Sequence, residues 1–491
     1  MQIHTIADIK EYLLQLEIKL QHAVQMHAEE LQHVHPTQVI AAHNLIHYLL
    51  LRSEDIRQLQ DKLHRAGLSS LTSSESHVYS QIQNVLERLG HTYKPNQLSS
   101  CTFDFSELER KKKSDKLFGR KGKKNIPKLM VTFDASFVEN YALIKNLLLN
   151  GMHVARINCA HDNEAVWARM IQMIKRASRH TGLPCKIYMD LAGPKIRTQI
   201  LGKGSDKGKV KVKEGELILL TESTEKFNSN EIIIGVNEPG IVNMLKKGER
   251  VFIDDGIIKG IVEQVKKNKV AVRIIRNSSS KQQIKHDKGI NFPDSNISIA
   301  PLTKFDIACL PFIIENADMV GYSFVRYPSD LKVLQDKIQL LGNKKPNIII
   351  KIETPEAVIN LPQLLLTGMA QPLTGVMIAR GDLAVEIGFE RMSEVQEEIL
   401  WICEAAHVPV IWATQVLESL NKSGMATRSE ITDAGHAALA ECVMINKGDH
   451  TIEVIETLSD VLNRIGGHQI KKRYTFRPLS IASNFIHRSS K

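Results

Sequence analysis

The sequence has few cysteines, few aromatic residues and no long apolar run. Its six cysteines are scattered and form no Cys-x-x-Cys pair, which excludes the common zinc and dithiol motifs and is typical of reduced thiols. No apolar stretch is long enough to span a bilayer. Residues 1–15 also lack the basic and then apolar order of a signal peptide. We therefore expect a cytoplasmic protein that has no membrane partner.

Positive charge is what the chain has in excess, with a formal net charge of +10 over 491 residues. Such a balance is compatible with nucleic acid, a membrane surface or phosphorylated small molecules as partners. Much of the excess lies in residues 110–125, which we interpret as a solvated basic linker. Phe118 is the only aromatic residue in that run, so the run offers no platform on which bases could stack. We therefore do not expect nucleic acid to be a partner.

The first region, residues 1–125, has apolar residues at spacings of three and four over most of its length, a pattern that predicts helices. Gly67 and Gly90 follow two of these stretches and are typical helix ends. The histidines of the region are dispersed, which argues against a metal site. We predict an all-helical N-terminal module that carries no catalytic motif.

Short β-rich runs alternate with amphipathic stretches from residue 126 onward. Eight apolar runs end in polar residues, at 128–133, 153–159, 186–191, 318–324, 347–353, 375–380, 408–414 and 441–446. This alternation predicts an α/β fold, a (β/α)8 TIM barrel, whose active site is built at the carboxyl ends of the strands. We assign residues 126–198 and 289–465 to this barrel and residues 466–491 to a basic C-terminal tail.

Residues 199–288 interrupt the barrel pattern. Their apolar residues alternate with a period of two and are separated by Gly and Asn turns. We predict a small β-barrel domain inserted after the third strand, in a position to act as a lid over the barrel mouth.

Charged and polar residues concentrate after the predicted strands. In strand order they are Arg156, Asn158 and His161; Asp190, Lys195 and Arg197; Ser323 and Arg326; Lys351 and Glu353; Arg380 and Asp382; and Thr414. Glu353 and Asp382 suit Mg²⁺, which takes one or two protein carboxylates together with water and substrate oxygens. The alternative is that each carboxylate pairs with its neighbouring base, Lys351 or Arg380. Because Lys351, Arg156 and Arg197 could neutralise phosphoryl oxygens, these residues indicate a Mg²⁺-dependent barrel enzyme that acts on a phosphorylated acid.

Several motifs match one known family in that family's order: GMHVARINCAH, MDLAGPKIRT, FIDDGIIKG, KGINFP, SFVR, IKIETPEAV, IARGDLAVEI, and ATQVLESL followed by TRSEITDA. From about residue 128 to residue 463 the chain resembles the pyruvate kinases. The resemblance implies a phosphotransferase that moves a phosphoryl group from phosphoenolpyruvate to ADP and yields pyruvate and ATP. It also implies a homo-oligomer, because TRSEITDA is similar to a segment near the family's subunit interface.

The resemblance implies a role for each matching residue. Glu353 and Asp382 would hold Mg²⁺ (or Mn²⁺), and Lys351 would stabilise charge on the transferring phosphoryl group and on the enolate. The substrate would be contacted by Arg156, Lys351, Ala379, Arg380, Gly381, Asp382 and Thr414, of which Thr414 would lie beside the face of the enolate that takes a proton. The nucleotide would be contacted by Asn158, His161, Arg197 and Lys288.

The resemblance also bears on K⁺. Family members that require K⁺ bind it near the positions of Asn158, Ala160, Asp190 and Leu191, and they offer hydroxyl groups at the second and fourth of these. This chain has Ala160 and Leu191 there, and it has Lys195 where the K⁺-requiring members have glutamate. We therefore expect that K⁺ is not required and that the Lys195 ammonium group replaces it. The alternative is a structural ion pair between Lys195 and Asp190.

The chain departs from the family in further respects. A serine-containing segment that follows the family's last barrel strand is missing from residues 442–454. Asp134 stands where the family has glycine, and Asp287 replaces a basic residue. We expect no counterpart of the family's C-terminal regulatory domain, so the N-terminal module could serve regulation or assembly instead. These departures keep open a non-catalytic paralogue that senses phosphoenolpyruvate through the barrel and acts through its helical module. A different phosphotransfer also stays open, because a fold does not fix a function.

Overall fold

The computed structural model describes residues 4–120, 126–278, 282–295, 297, 299–300, 302–342, 344–466, 468–471 and 473–474. Two parts of the predicted organisation lie outside the described residues, namely residues 121–125 of the basic run and residues 475–491 of the C-terminal tail. Among the described residues, no helix is both long and apolar enough to cross a membrane.

The described part of the N-terminal module contains six α-helices, as the apolar spacing predicts: α1 (Ile6–Met26), α2 (Ala28–Gln32), α3 (Val39–Ser53), α4 (Arg57–Arg65), α5 (Val78–Arg88) and α6 (Phe103–Phe118). A capping box starts α1, because Thr5 Oγ1 accepts from the Asp8 N–H and the Asp8 carboxylate accepts from the Thr5 N–H. Gly67 and Gly90 follow α4 and α5 with φ angles of 68° and 76°, a left-handed conformation that glycine adopts at little cost. The all-helical prediction is confirmed.

Helix α6 corrects the interpretation of residues 110–125 as a solvated linker. Residues 110–118 are helical, and Lys113, Leu117 and Phe118 are buried. Leu117 and Phe118 pack into the barrel interior in one cluster with Met130 and Tyr188. The sequence did not reveal this burial, because the buried apolar residues of α6, Leu117 and Phe118, lie at its C-terminal end and do not form a stripe along one face.

The barrel begins with three strands and two helices: β1 (Lys128–Phe133), α7 (Tyr141–Leu149), β2 (Met152–Asn158), α8 (Glu164–Thr181) and β3 (Lys186–Asp190). The second strand pairs in parallel with both others. In this register Arg156 lies opposite Tyr188, and Asn158 lies opposite Asp190. The polar residues at the ends of β2 and β3 are thereby brought to one place at the barrel rim.

The inserted domain follows β3. It contains β4 (Thr198–Ile200), β5 (Lys209–Lys211), β6 (Leu217–Thr221), β7 (Ile233–Val236), α9 (Ile241–Met244), β8 (Arg250–Ile253), β9 (Ile258–Lys266), β10 (Lys269–Asn277), β11 (Gln283–Lys285) and β12 (Ile290–Asn291). Seven strands form a sheet in the order β12-β8-β9-β10-β6-β7-β4, and β5 pairs with β11. The edges of the sheet meet, because the Ile290 N–H donates to the Ile196 carbonyl at 2.9 Å and the Thr198 N–H donates to the Lys288 carbonyl at 2.8 Å. The sheet closes around its own apolar core, as the small β-barrel prediction requires.

The barrel then resumes with α10 (Lys304–Asn316), β13 (Met319–Tyr322), α11 (Pro328–Leu341), β14 (Asn347–Ile352), α12 (Pro355–Ile359), α13 (Leu361–Gly368), β15 (Thr374–Ala379), α14 (Arg380–Ile387), α15 (Met392–Ala405), β16 (Val410–Ala413), α16 (Glu418–Ser423), α17 (Arg428–His436), β17 (Cys442–Ile445), α18 (Thr451–Ile465), β18 (Gln469–Ile470) and β19 (Arg473–Tyr474). The closed barrel has the parallel order β1-β17-β16-β15-β14-β13-β3-β2. Each of the eight predicted runs contains one of its strands, except that β2 and β15 each begin one residue before their run, so the predicted (β/α)8 barrel is confirmed.

The N-terminal module docks on one side of the barrel through polar contacts as well as apolar ones. Gln38 Nε2 donates to the Pro372 carbonyl at 2.9 Å, and Asn44 Nδ2 donates to the Ala405 carbonyl at 2.8 Å. Helix α3 lies on α15, while the end of α6 fills the barrel interior. The module and the barrel therefore share one continuous packing arrangement.

Candidate functional site

Asp190, at the end of β3, is the centre of the charged cluster at the barrel rim. Arg156 donates to its Oδ2 atom from Nη2 at 2.6 Å and from Nε at 3.0 Å, and Lys351 Nζ lies 3.4 Å from the same oxygen. The Tyr188 hydroxyl donates to Oδ1 at 3.0 Å. Burial opposes ionisation of this carboxyl, but Lys351 and Arg156 outweigh it and lower its pKa. Asp190 is therefore a buried anion that fixes two cations.

A glycine makes this arrangement possible. A Cβ atom at Gly321 of β13 would lie 2.3 Å from Asp190 Oδ1 and 2.0 Å from the Tyr188 hydroxyl oxygen. Both distances are far below van der Waals contact, so no other residue fits there without displacing the Asp190 cluster.

Lys351, at the end of β14, is held on several sides. Its Nζ atom donates to Ser323 Oγ at 2.7 Å and lies 3.0 Å from Glu353 Oε1. The side chain is buried, which disfavours the charged form, but Asp190 and Glu353 outweigh burial and raise the pKa of Lys351. The result is an ammonium group whose charged form is favoured and whose position is fixed.

Glu353 carries the first of the two candidate metal-binding carboxylates. The Phe324 N–H donates to its Oε2 atom at 2.6 Å. Burial raises the pKa of Glu353, and the nearby charge of Asp382 adds to this effect while Lys351 opposes it. Because the charge of Asp382 acts on Glu353, the two carboxylates lie close enough together to bind one cation.

Lys195 lies beside the second candidate carboxylate. Its Nζ atom is 2.7 Å from Asp382 Oδ1. The alternative in which Lys195 pairs with Asp190 is therefore wrong, because Arg156 and Lys351 already hold Asp190. The returning chain leaves room for the lysine, since a Cβ atom at Gly289 would lie 2.9 Å from its Cε atom.

The alternative pairing of the carboxylates with neighbouring bases holds for one of them. Glu353 pairs with Lys351, whereas Asp382 pairs with Lys195 and not with Arg380. Arg380 instead donates from two nitrogens to the Asp433 carboxylate. It also donates to the carbonyls of Ala413 and Thr414, and its guanidinium carbon lies 4.5 Å from the ring centre of Trp412. Its guanidinium group is thus committed to holding the barrel rim.

Thr414 adopts a left-handed conformation, with a φ angle of 68°. Its hydroxyl accepts from the Gly381 N–H at 2.9 Å and donates to the Ala413 carbonyl at 2.7 Å. The hydroxyl is thereby tied to the start of α14, where Ala379 and Asp382 also lie.

The candidate nucleotide residues fall in two places. Asn158 and His161 line a cleft of about 600 Å³ together with Arg156, Asp134 and Lys447. In this cleft the Asp134 carboxylate lies 2.7 Å from Lys447 Nζ, so the aspartate that replaces glycine compensates a cation.

The other two candidates lie where the inserted domain closes. Arg197 Nη1 donates to the Asp287 carbonyl at 2.9 Å, and Lys288 Nζ is 2.7 Å from Asp254 Oδ1. Arg197 and Lys288 do not line the cleft that holds Asn158 and His161.

The residues present fit a magnesium ion. Glu353 and Asp382 offer hard carboxylate oxygens, and Mg²⁺ in proteins usually takes only one or two of these and completes its shell with water and substrate. No group of three or more His, Cys, Asp or Glu side chains with metal-site geometry occurs in the described part of the chain, which argues against a site of the zinc type. Positive charge from Lys351 and Lys195 already stands beside both carboxylates, so these anions are compensated before a metal binds.

Sequence reasoning missed two acidic residues near the site. Burial and the nearby charge of Asp382 raise the pKa of Asp255, while the charge of Lys195 opposes them. Glu386 lies one turn after Asp382 on α14 and accepts a hydrogen bond from Asn291, in the segment that returns from the inserted domain. Asp255 belongs to the motif FIDDGIIKG and could have been suspected, whereas nothing in the spacing marks Glu386.

Comparison with known proteins agrees with this geometry. The family described as "Pyruvate kinase, barrel domain" matches residues 128–452. The pyruvate kinase of Thermotoga maritima is 32% identical over 330 residues, which are 66% of this chain and 67% of that protein. The pyruvate kinase of Dictyostelium discoideum is 32% identical over 346 residues, 68% of this chain and 65% of its own length. For the pyruvate kinase of Geobacillus stearothermophilus the values are 30% over 333 residues, 66% and 54%.

The matched part of the chain spans about half to two thirds of the length of these relatives. The family match, residues 128–452, includes the eight barrel strands, the inserted domain and the Asp190 cluster, and it excludes the N-terminal module. The chain belongs to the pyruvate kinase family.

Proposed function

We propose that the protein transfers a phosphoryl group from phosphoenolpyruvate to ADP, with Mg²⁺ held by Glu353 and Asp382 and without a requirement for K⁺. The observation that carries the proposal is the ammonium group of Lys351, which is buried and fixed between Asp190, Glu353 and Ser323. Phosphoryl transfer depends on positioning and charge neutralisation more than on covalent chemistry, and a fixed buried cation supplies both.

Lys351 and Arg156 would have different roles in the reaction. Lys351 would stabilise the charge that develops on the phosphoryl group and on the enolate oxygen, and Arg156, fixed by Asp190, would contact the phosphoryl group. Bound at Glu353 and Asp382, Mg²⁺ would supply positive charge to the phosphate and carboxylate oxygens of the substrate.

The start of α14 would bind the substrate carboxylate. Ala379, Arg380, Gly381 and Asp382 lie at the positive end of this helix, where backbone N–H groups favour an anion. Because the Arg380 side chain is engaged with Asp433, Arg380 would contribute through its backbone. The Thr414 hydroxyl would lie beside the enolate, and because the family's serine segment is missing, Thr414 or water would deliver the proton.

The nucleotide would enter the cleft lined by Asn158 and His161. Closure of the inserted domain would bring Arg197 and Lys288 to its phosphates. In this proposal the inserted domain, residues 199–288, acts as a lid on the barrel formed by 126–198 and 289–465.

Independence from K⁺ would rest on Lys195. Its ammonium group lies 2.7 Å from Asp382 and thus stands beside a carboxylate of the proposed metal site. A unit charge about 4 Å from a phosphate oxygen contributes about 4 kcal/mol at an effective dielectric constant of about 20. A fixed lysine of this kind would supply the charge that K⁺ supplies in other members of the family.

ATP formation from phosphoenolpyruvate and ADP tests the proposal, with wild-type protein and the Lys351→Met variant compared at saturating Mg²⁺. We expect the variant to lose about 100- to 1000-fold in kcat, as when one transition-state donor is removed. Lys186→Met, at the opposite end of β3, is the matched control and should retain the wild-type rate. Phosphoenolpyruvate binding without any ATP from the wild type would instead favour the sensor alternative.

Two further features are proposals of the same kind. A homo-oligomer is supported by α17 and the residues before it, where Met425 and Ile431 expose apolar side chains in the segment similar to the family's subunit interface. Light scattering of the purified protein measures this directly. A cytoplasmic location is supported by the six free cysteines.

A further inference from the structure

A small cavity of about 60 Å³ lies between the barrel rim and the two chain segments that join the inserted domain to the barrel. The outgoing segment contributes residues 194–196, and the returning segment contributes residues 290–293. The barrel side contributes Arg326, Glu356 and Glu386, among others. Any rotation of the inserted domain must pass through these two segments, so the cavity marks its hinge.

A buried residue of the returning segment is hydrogen-bonded to the barrel at the hinge. Asn291 Nδ2 donates to Glu386 Oε1 at 2.7 Å. Asn291 is buried and belongs to β12, which pairs with Phe252 and Ile253 of the inserted domain. Glu386 belongs to α14 of the barrel, one turn after Asp382. The bond therefore ties the closing strand of the inserted domain to the helix that carries a proposed metal-binding carboxylate.

Helix α14 holds both hinge segments. Asp382 holds the outgoing segment through Lys195 at 2.7 Å, and Glu386 holds the returning segment through Asn291. Lys288, the proposed phosphate contact, lies three residues before Asn291 in the returning segment. The position of Lys288 relative to the barrel thus depends on where α14 holds that segment.

We propose that Glu386 is a positioning residue that fixes the inserted domain on α14 and so sets the placement of Lys288 for the nucleotide phosphates. The inference rests on the proposed function for its catalytic consequence, whereas the hinge contact itself does not. Glu386 touches neither substrate nor metal in this scheme and acts through Asn291.

The environment of Glu386 adds a pH dependence. Burial raises the pKa of Glu386 to about 7, the charges of Asp382 and Glu356 act in the same direction, and Asn291 and Arg326 oppose them. An ionised carboxylate accepts the Asn291 N–H more strongly than a protonated one. The hinge contact is therefore expected to weaken as the pH falls through 7.

Steady-state kinetics provide one test, with Glu386→Ala, Glu386→Gln and Glu356→Gln compared with the wild type. Glu356 faces the same cavity and matches the change in charge, but among the described residues its side chain makes no hydrogen bond to the hinge segments. We expect Glu386→Ala to raise the KM for ADP at least about fivefold while the KM for phosphoenolpyruvate changes less than about twofold. Glu386→Gln keeps an acceptor for Asn291, so it should restore most of the affinity for ADP and abolish the change in that KM between pH 6 and pH 8.

Hydrogen–deuterium exchange tests the hinge contact without relying on activity. In the wild type at pH 8, peptides that cover residues 284–295 should exchange at least about tenfold more slowly than in Glu386→Ala, while peptides from β14 and β15 stay unchanged. Equal exchange at 284–295 in both proteins would overturn the positioning role whether or not the protein makes ATP. A wild type that makes no ATP but shows the expected exchange difference would contradict the proposed function alone.

Discussion

Docking of the N-terminal module should depend on pH through His407. This histidine follows α15 of the barrel and is buried under the module, where its Nε2 atom lies 2.7 Å from the Ser76 carbonyl oxygen. The proton must therefore be on Nε2, and the buried Nδ1 atom has no hydrogen-bond partner among the described residues. A second proton would have to sit on Nδ1, without an acceptor, in a site that also faces Lys113, Arg110 and His77.

The sign and size of the effect follow from the pKa. Burial, with Lys113 in the same direction, lowers the pKa of His407 from 6.5 to about 3. The undocked histidine binds a proton below pH 6.5 while the docked one does not, so stability is fully present above 6.5 and is lost as the pH falls towards 3. At 1.36 kcal/mol per pH unit, acidification from pH 7.5 to pH 5 removes about 2 kcal/mol. His77, whose pKa burial lowers to about 4, acts in the same direction.

Urea unfolding followed by tryptophan fluorescence measures this loss. Trp401 on α15 reports on docking, because the guanidinium group of Arg52 from the module stacks 5.0 Å from its ring. His407→Gln retains an amide that can donate to Ser76 but cannot be protonated, so its unfolding free energy should fall about 2 kcal/mol less than that of the wild type between pH 7.5 and pH 5. His64→Gln, at an exposed position of the module, is the control. Equal pH dependence of the wild type and His407→Gln would refute the reasoning.

Two further substitutions test the role of Lys195 and the packing of helix α6 in the barrel. Lys195→Glu reverses a charge beside Asp382, so without K⁺ its rate of pyruvate formation should fall at least about 100-fold, whereas Lys209→Glu in the inserted domain should leave the rate unchanged. A full rate for Lys195→Glu in a sodium-only buffer would exclude the role given to this lysine. Phe118→Ala empties a fully buried position inside the barrel and should cost about 3–5 kcal/mol of unfolding free energy, measured by urea denaturation. Leu108→Ala, on the exposed face of the same helix, should cost less than about 0.5 kcal/mol, and similar losses for both variants would contradict the packing of α6 in the barrel.

The barrel could be predicted from the sequence because its strands are buried on both faces. Such strands appear in the sequence as short continuous apolar runs, and residues 347–352, directly before Glu353, are one example. The candidate residues followed from the same pattern, since parallel strands bring their carboxyl ends together. The burial of α6 could not be predicted, because its basic residues resemble a solvated run. Only Leu117 and Phe118, at its C-terminal end, enter the hydrophobic core.

The pairing of charges could not be predicted, because several carboxylates and several cations converge on one rim. Sequence proximity suggested Lys195 with Asp190, but the turn after β3 carries the lysine across the barrel mouth to Asp382. Asp190 is buried and forms ion pairs with Arg156 of β2 and with Lys351 of β14, a strand that lies far along the chain. Only the closed barrel determines which ends are neighbours.

Pyruvate formation by the purified protein in a buffer free of K⁺ and NH₄⁺ tests the central claim most directly. The assay contains phosphoenolpyruvate, ADP and Mg²⁺, and K⁺ is added afterwards. The proposal of a K⁺-independent pyruvate kinase that uses Lys195 predicts a full rate before K⁺ is added and no increase after it. A rate that appears only with K⁺ would contradict the role of Lys195, and no pyruvate in either buffer would contradict the proposed activity itself.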